Sequence, residues 1–79
     1  MKVSVLFFGA TADEVGERET DLDFAENTKA DEAFAEIVNK YPRLAHHKLL
    51  FAVNQEYANG DETIRDGDEL AVFTAVSGG

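Results

Sequence analysis

Few side chains in this 79-residue sequence are arranged for chemistry. His46 and His47 are adjacent, and adjacent residues do not converge on one metal as readily as residues at i and i+4 do. They read as exposed histidines at a helix end or on a loop, with no metal site. The acidic pairs Asp13/Glu14, Asp61/Glu62 and Asp68/Glu69 are ordinary in so acidic a chain. They fit turns and solvated faces better than acid–base catalysis. Gly9, Gly60 and Gly67 serve turns and lack the spacing of a phosphate loop. There is no cysteine, hence no thiolate nucleophile, no disulfide and no Cys-ligated metal. One group remains, the carboxylate of Gly79 at the end of Ser77-Gly78-Gly79. Two residues without side chains can thread a narrow channel and present that carboxylate to another protein's active site.

The charge balance limits the partners. Sixteen Asp and Glu against seven Lys and Arg give a net charge of −9. Phosphate backbones repel such a chain, so nucleic acid is excluded as a partner, and anionic membranes are disfavoured. The charge can steer the protein towards a basic surface, and it fits a merely solvated surface equally well. The opening Met1–Ala10 resembles a signal peptide, but its apolar run is too short and Asp13 and Glu14 follow at once. It reads as a strand in a cytoplasmic protein.

The elements that must position the tail follow from periodicity. Val3, Val5 and Phe7 alternate with Lys2, Ser4 and Leu6, which predicts a strand that Gly9 ends. Residues 10–18 form a polar connection with a helical turn at Ala12–Val15. Leu22 and Phe24 mark a second strand, pairing with the first as a hairpin. Ala30, Phe34, Ile37, Val38 and Tyr41 make one apolar helical stripe, N-capped by Thr28 with Asp31 in a capping box and stopped by Pro42. Leu49–Val53 reads as a central strand, Tyr57-Ala58 as a short one and Glu69–Val76 as the last, entered through the Asp66-Gly67-Asp68 turn. The order is ββαβ(β)β. It predicts an α+β fold in which one helix covers one face of a mixed sheet of four or five strands. A domain this small buries only about 60–65% of its unfolded surface, so residues 1–79 make one domain with one core.

That arrangement leaves an uncovered face. If Val3, Val5, Phe7, Leu70 and Val72 face the helix, then Leu6, Phe8, Ala71, Phe73 and Ala75 face away from it. Nothing in so short a chain is left to cover them, and clustered exposed aromatics point to a protein–protein site.

These residues resemble the small subunit of molybdopterin synthase, a MoaD-type sulfur carrier of the ubiquitin-like (β-grasp) superfamily. The likeness runs over nearly the whole chain. It is carried by Val5-Leu6-Phe7-Phe8, Leu49-Leu50-Phe51-Ala52-Val53-Asn54-Gln55, Asp66-Gly67-Asp68-Glu69 and Phe73-x-x-Val76-Ser77-Gly78-Gly79. The resemblance implies a β-grasp fold and a tail, residues 77–79, that does the work. An E1-like activating enzyme would adenylate Gly79 with ATP, and a sulfur donor protein would turn the adenylate into a thiocarboxylate. Gly78 and Ser77 would thread the large synthase subunit, in a heterotetramer, where sulfur passes to a pyranopterin precursor. Phe8, Tyr57 and Phe73 would meet the partner. No bound cofactor and no metal are implied, and the chain would be a non-catalytic subunit. A ubiquitin-like modifier joined to targets through Gly79, a thiamine-pathway sulfur carrier and a plain β-grasp binding module are the other readings. One departure stands out. The family usually has two prolines where Thr74-Ala75 stand, which predicts a less rigid exit from the last strand.

Overall fold

A computed structural model describes residues 1–75. Its elements are strand β1 (Lys2–Phe7), helix α1 (Ala10–Val15), strand β2 (Glu19–Asp23), helix α2 (Ala30–Lys40), a 3-10 helix (Pro42–His46), and strands β3 (Leu49–Val53), β4 (Glu56–Tyr57) and β5 (Glu69–Thr74). The sheet order is β2-β1-β5-β3-β4. β1 pairs antiparallel with β2 and parallel with β5, and β3 pairs antiparallel with both β5 and β4. The strand in the middle is therefore β5, with β3 beside it rather than at the centre. With α2 across one face, this is the β-grasp arrangement.

Period-two alternation sets the facing. Val3, Val5, Leu70 and Val72 are fully buried, as is nearly all of Phe7, and they pack with Phe34 and Ile37 of α2. Phe34 stacks on Phe51 with ring centroids 4.1 Å apart, and Phe7 meets Tyr41 edge-on at 5.5 Å. Val38 departs from the expectation of burial. It is only partly buried, because it lies at the margin of the stripe whose centre is Ala30, Ala33, Phe34 and Ile37.

The start of α2 also departs from expectation. Its N-cap is Lys29, not Thr28, and Glu32 rather than Asp31 closes the box by accepting the Lys29 N–H at 3.0 Å. The helix N-terminus is fixed from afar. Ala30 N–H donates to the Glu62 carbonyl at 2.8 Å and Asp31 N–H to the Gly60 carbonyl at 3.2 Å. These bonds satisfy amides that a helix end otherwise leaves without partners. Glu62 holds that loop in shape: its carboxylate accepts the N–H groups of Asn59 and Gly60, each at 2.9 Å. The Asn59 bond is the leading reason its pKa lies below the ordinary carboxylate range. Thr28 is buried instead, its hydroxyl donating to the Ala25 carbonyl at 2.6 Å.

β3 and β4 form a hairpin through Asn54 and Gln55, both at positive φ (49° and 71°), as a tight two-residue hairpin turn requires. Among the described residues no helix is long and apolar enough to cross a membrane.

Candidate functional site

The sheet face away from α2 is built from alternate residues of four strands. Leu6 and Phe8 come from β1 and the residue after it. Ala71 and Phe73 come from β5, Ala52 from β3 and Tyr57 from β4. With Gln55 and Glu69 they line an open depression of about 600 Å³. Register brings them together: Leu6 lies beside Ala71, Ala71 beside Ala52, and Ala52 beside Tyr57. Phe8 is 52% exposed and Tyr57 74% exposed, unusually high for large apolar side chains. The Tyr57 and Phe73 rings lie 5.8 Å apart at 46°. Phe8, Tyr57 and Phe73 thus border one surface.

Ala71 differs from the expectation of exposure: it is 8% exposed, and Ala52 7%. A methyl group set among Leu6, Tyr57 and Phe73 is screened by its larger neighbours. The face therefore has a floor of small side chains and walls of aromatic ones. Sequence reasoning missed Ala52 and Gln55. The run Leu49–Val53 is apolar on both faces, so no alternation marks Ala52; only its pairing with Ala71 does.

The same face becomes acidic across the edge strand. Glu19 pairs with Leu6, Asp21 with Ser4 and Asp23 with Lys2. All three acids are exposed, and among the described residues none takes part in an ion pair. Asp21 accepts a long hydrogen bond from the Ser4 hydroxyl at 3.5 Å. A partner seated on the aromatic end would meet carboxylates beside it.

The last residues of β5 lead from this face towards the tail. Thr74 pairs with Leu49, and Ala75 N–H donates to the Lys48 carbonyl at 3.2 Å. A proline at position 75 could not make that bond. Ala75 thus still pairs with the chain that leads into β3, while the exit beyond it, where the looser chain is expected, lies outside the described residues. Ser77, Gly78 and Gly79, on which the expected tail chemistry would rest, lie outside the described residues.

The histidines stay apart from this surface. His46 is exposed at the end of the 3-10 helix, and His47 Nε2 lies 3.8 Å from Glu14 Oε1. No group of three or more His, Cys, Asp or Glu among the described residues is placed to hold a metal ion. Tyr41, on the other side of the sheet, holds its phenol proton more tightly than usual, because of burial and then the charge of Glu17, whose carboxylate accepts its hydroxyl at 3.3 Å.

The ThiS family matches residues 5–79. The molybdopterin synthase sulfur carrier subunit of Caenorhabditis elegans is 42% identical, over 100% of this chain and 99% of that protein. SAMP1 of Haloferax volcanii superposes with a TM-score of 0.87 at 26% identity, covering 100% of both chains. Subunits of the molybdopterin-converting factor of Helicobacter pylori, solved as a complex of subunits 1 and 2, include a chain that superposes with a TM-score of 0.70. That chain is 24% identical, with 100% of both chains covered, a likeness of fold. With its β-grasp fold and this likeness over the whole chain, the protein belongs to the ThiS family and to the family of molybdopterin synthase sulfur carrier subunits.

Proposed function

We propose that this protein carries sulfur as a thiocarboxylate on Gly79 and delivers it to a large synthase subunit that makes molybdopterin. The observation that carries this reading is the ThiS family match, which runs through residue 79. The full-length likeness to a molybdopterin synthase sulfur carrier subunit supports it.

A carboxylate is a poor electrophile. An E1-like enzyme activates it by letting a Gly79 carboxylate oxygen attack the α-phosphorus of ATP. Pyrophosphate leaves, and the acyl-adenylate now has a good leaving group. Hydrosulfide supplied by a donor protein attacks the acyl carbon and forms the C–S bond as the C–O bond to AMP breaks and AMP leaves, and the thiocarboxylate so formed stores nucleophilic sulfur at neutral pH. Other proteins supply the acids, bases and phosphate-binding groups. This protein supplies a tail slim enough at Ser77-Gly78-Gly79 to enter their sites. It also supplies a face, with Phe8, Tyr57 and Phe73 as contacts, by which they grip it. The large subunit then takes sulfur from the tail to a pyranopterin precursor, in the cytoplasm.

Incubation with ATP, the activating enzyme and a sulfur donor should replace one oxygen of the protein by sulfur, read as a change in intact mass. Removing Gly79, or adding a residue after it, should abolish the change and leave the circular dichroism spectrum as it was. Sulfur uptake by the truncated chain would sink the proposal.

The likeness to SAMP1, a small archaeal modifier protein, supports a second reading in which Gly79 is joined to lysines of target proteins. Covalent conjugates in cells, absent when Gly79 is removed, would favour it.

A further inference from the structure

Thr11 is fully buried in α1, one of two buried polar side chains among the described residues. Its hydroxyl lies 2.7 Å from the Phe8 carbonyl and 2.9 Å from the Val72 carbonyl. The hydroxyl has a single hydrogen, so it donates to one carbonyl at a time or shares that hydrogen between the two, and in either case it sits between them. Val72 lies in β5, and Phe8 directly follows β1, the strand that pairs parallel with it.

The position of this contact along the ladder gives it meaning. Ser4 N–H donates to the Asp68 carbonyl at 3.0 Å, and Phe8 N–H to the Val72 carbonyl at 3.1 Å. One more rung would bring Thr74 N–H to the Phe8 carbonyl. Instead, that carbonyl accepts from Thr11, through its N–H at 3.2 Å as well as its hydroxyl. Gly9 makes the diversion possible: with φ 58° and ψ −129° it turns the chain out of β1 in a conformation that side chains disfavour. A Cβ there would touch nothing, so the backbone conformation, not space, asks for glycine. Beyond Val72, β5 keeps β3 as its ladder partner.

We propose that Thr11 is a positioning residue for the tail: its buried hydroxyl closes the β1–β5 ladder at Val72 and so sets where, and in which direction, the chain leaves the sheet towards Gly79. The consequence for activation rests on the carrier reading above. A carboxylate delivered from a loosened strand end would still reach the activating enzyme but would spend less time aligned with the phosphate it attacks. The loss should fall on turnover rather than on binding, because the contact side chains of Phe8, Tyr57 and Phe73 are all retained and only the backbone at Phe8 is loosened.

The test compares the full-length chain with Thr11→Val, which keeps the shape and removes the donor, and Thr11→Ser, which keeps the donor. Amide hydrogen exchange at Phe8 and Ala75 should quicken in Thr11→Val while Val5 and Leu70 hold their protection. With the activating enzyme and ATP, kcat should fall about tenfold at an unchanged KM for the carrier, a modest share of what misalignment of reacting groups can remove. Thr11→Ser should restore both readouts. Unchanged exchange at Phe8 and Ala75 in Thr11→Val would overturn the proposal. So would exchange that quickens equally at Val5 and Leu70, which would make Thr11 a general packing residue. If Thr11→Val does not fold, Thr11→Cys, a weak donor, takes its place in the same comparison. A wild-type chain that accepts no sulfur overturns the carrier reading alone, because the exchange comparison needs no activating enzyme.

Discussion

The two faces of the sheet come from the same strands, often from neighbouring residues, yet they are built to opposite ends. Towards α2, Val3, Val5, Leu70 and Val72 are sealed from water, with Phe34 and Ile37 pressed on them. On the other side, one residue along, Phe8 and Tyr57 stand in solvent around Ala52 and Ala71. Burying an apolar side chain stabilises the fold; leaving one exposed stores the same kind of free energy for a later encounter. The strand's period of two lets a short chain do both at once.

Two changes test that division, and a third tests the loop that holds the covering helix in place. The largest effect on stability should come from the sealed face. Phe34→Ala should destabilise the protein by about 3–5 kcal/mol, much of what a domain this small has, through the cavity it leaves against Phe51. Urea unfolding measures it, and a loss below about 1 kcal/mol would deny Phe34 its place in the core. The open face should behave the other way. Phe73→Asp should leave the melting curve close to wild type while weakening binding to the large subunit or the activating enzyme by about 2 kcal/mol or more, seen by calorimetry. Unfolding of that variant would assign Phe73 to the core and erase the distinction.

The smallest effect belongs to the loop that caps α2. Glu62 has a lowered pKa because the amides of Asn59 and Gly60 bind its charged form. A carboxylate whose folded pKa is depressed adds stability above its unfolded pKa and loses it as pH falls through the folded value. The stability difference between wild type and Glu62→Gln should therefore be largest near neutral pH and close as the solution is acidified below the ordinary carboxylate range. Melts at several pH values measure it, and a gap that widens in acid would contradict the assignment.

What the sequence revealed follows from the range of the interactions involved. The facing of Val3, Val5 and Phe7 was legible because strand geometry writes it into alternate residues. The aromatic border was legible in part, since Phe8 and Phe73 alternate with the buried Phe7 and Val72 and so fall on the opposite face. The start of α2 was not, because Glu62 and Gly60, some thirty residues on, supply the carbonyls that fix it. Thr28 looked like a local cap and is a local hydrogen bond of another kind. Thr11 gave no signal at all. A lone threonine in a polar connection becomes a buried clamp only once β5, far along the chain, lies beside β1.

The place of β5 has a mechanical consequence. The strand that leads to the tail is the middle one, bonded on both flanks over most of its length. A tug on the chain beyond Ala75, as the proposed function would bring when the tail leaves a tight channel, would load the hydrogen bonds of β5 in shear, many at once. An edge strand under the same tug could peel away one bond at a time. On the carrier reading proposed above, the protein would come free of a partner by that end without being unravelled.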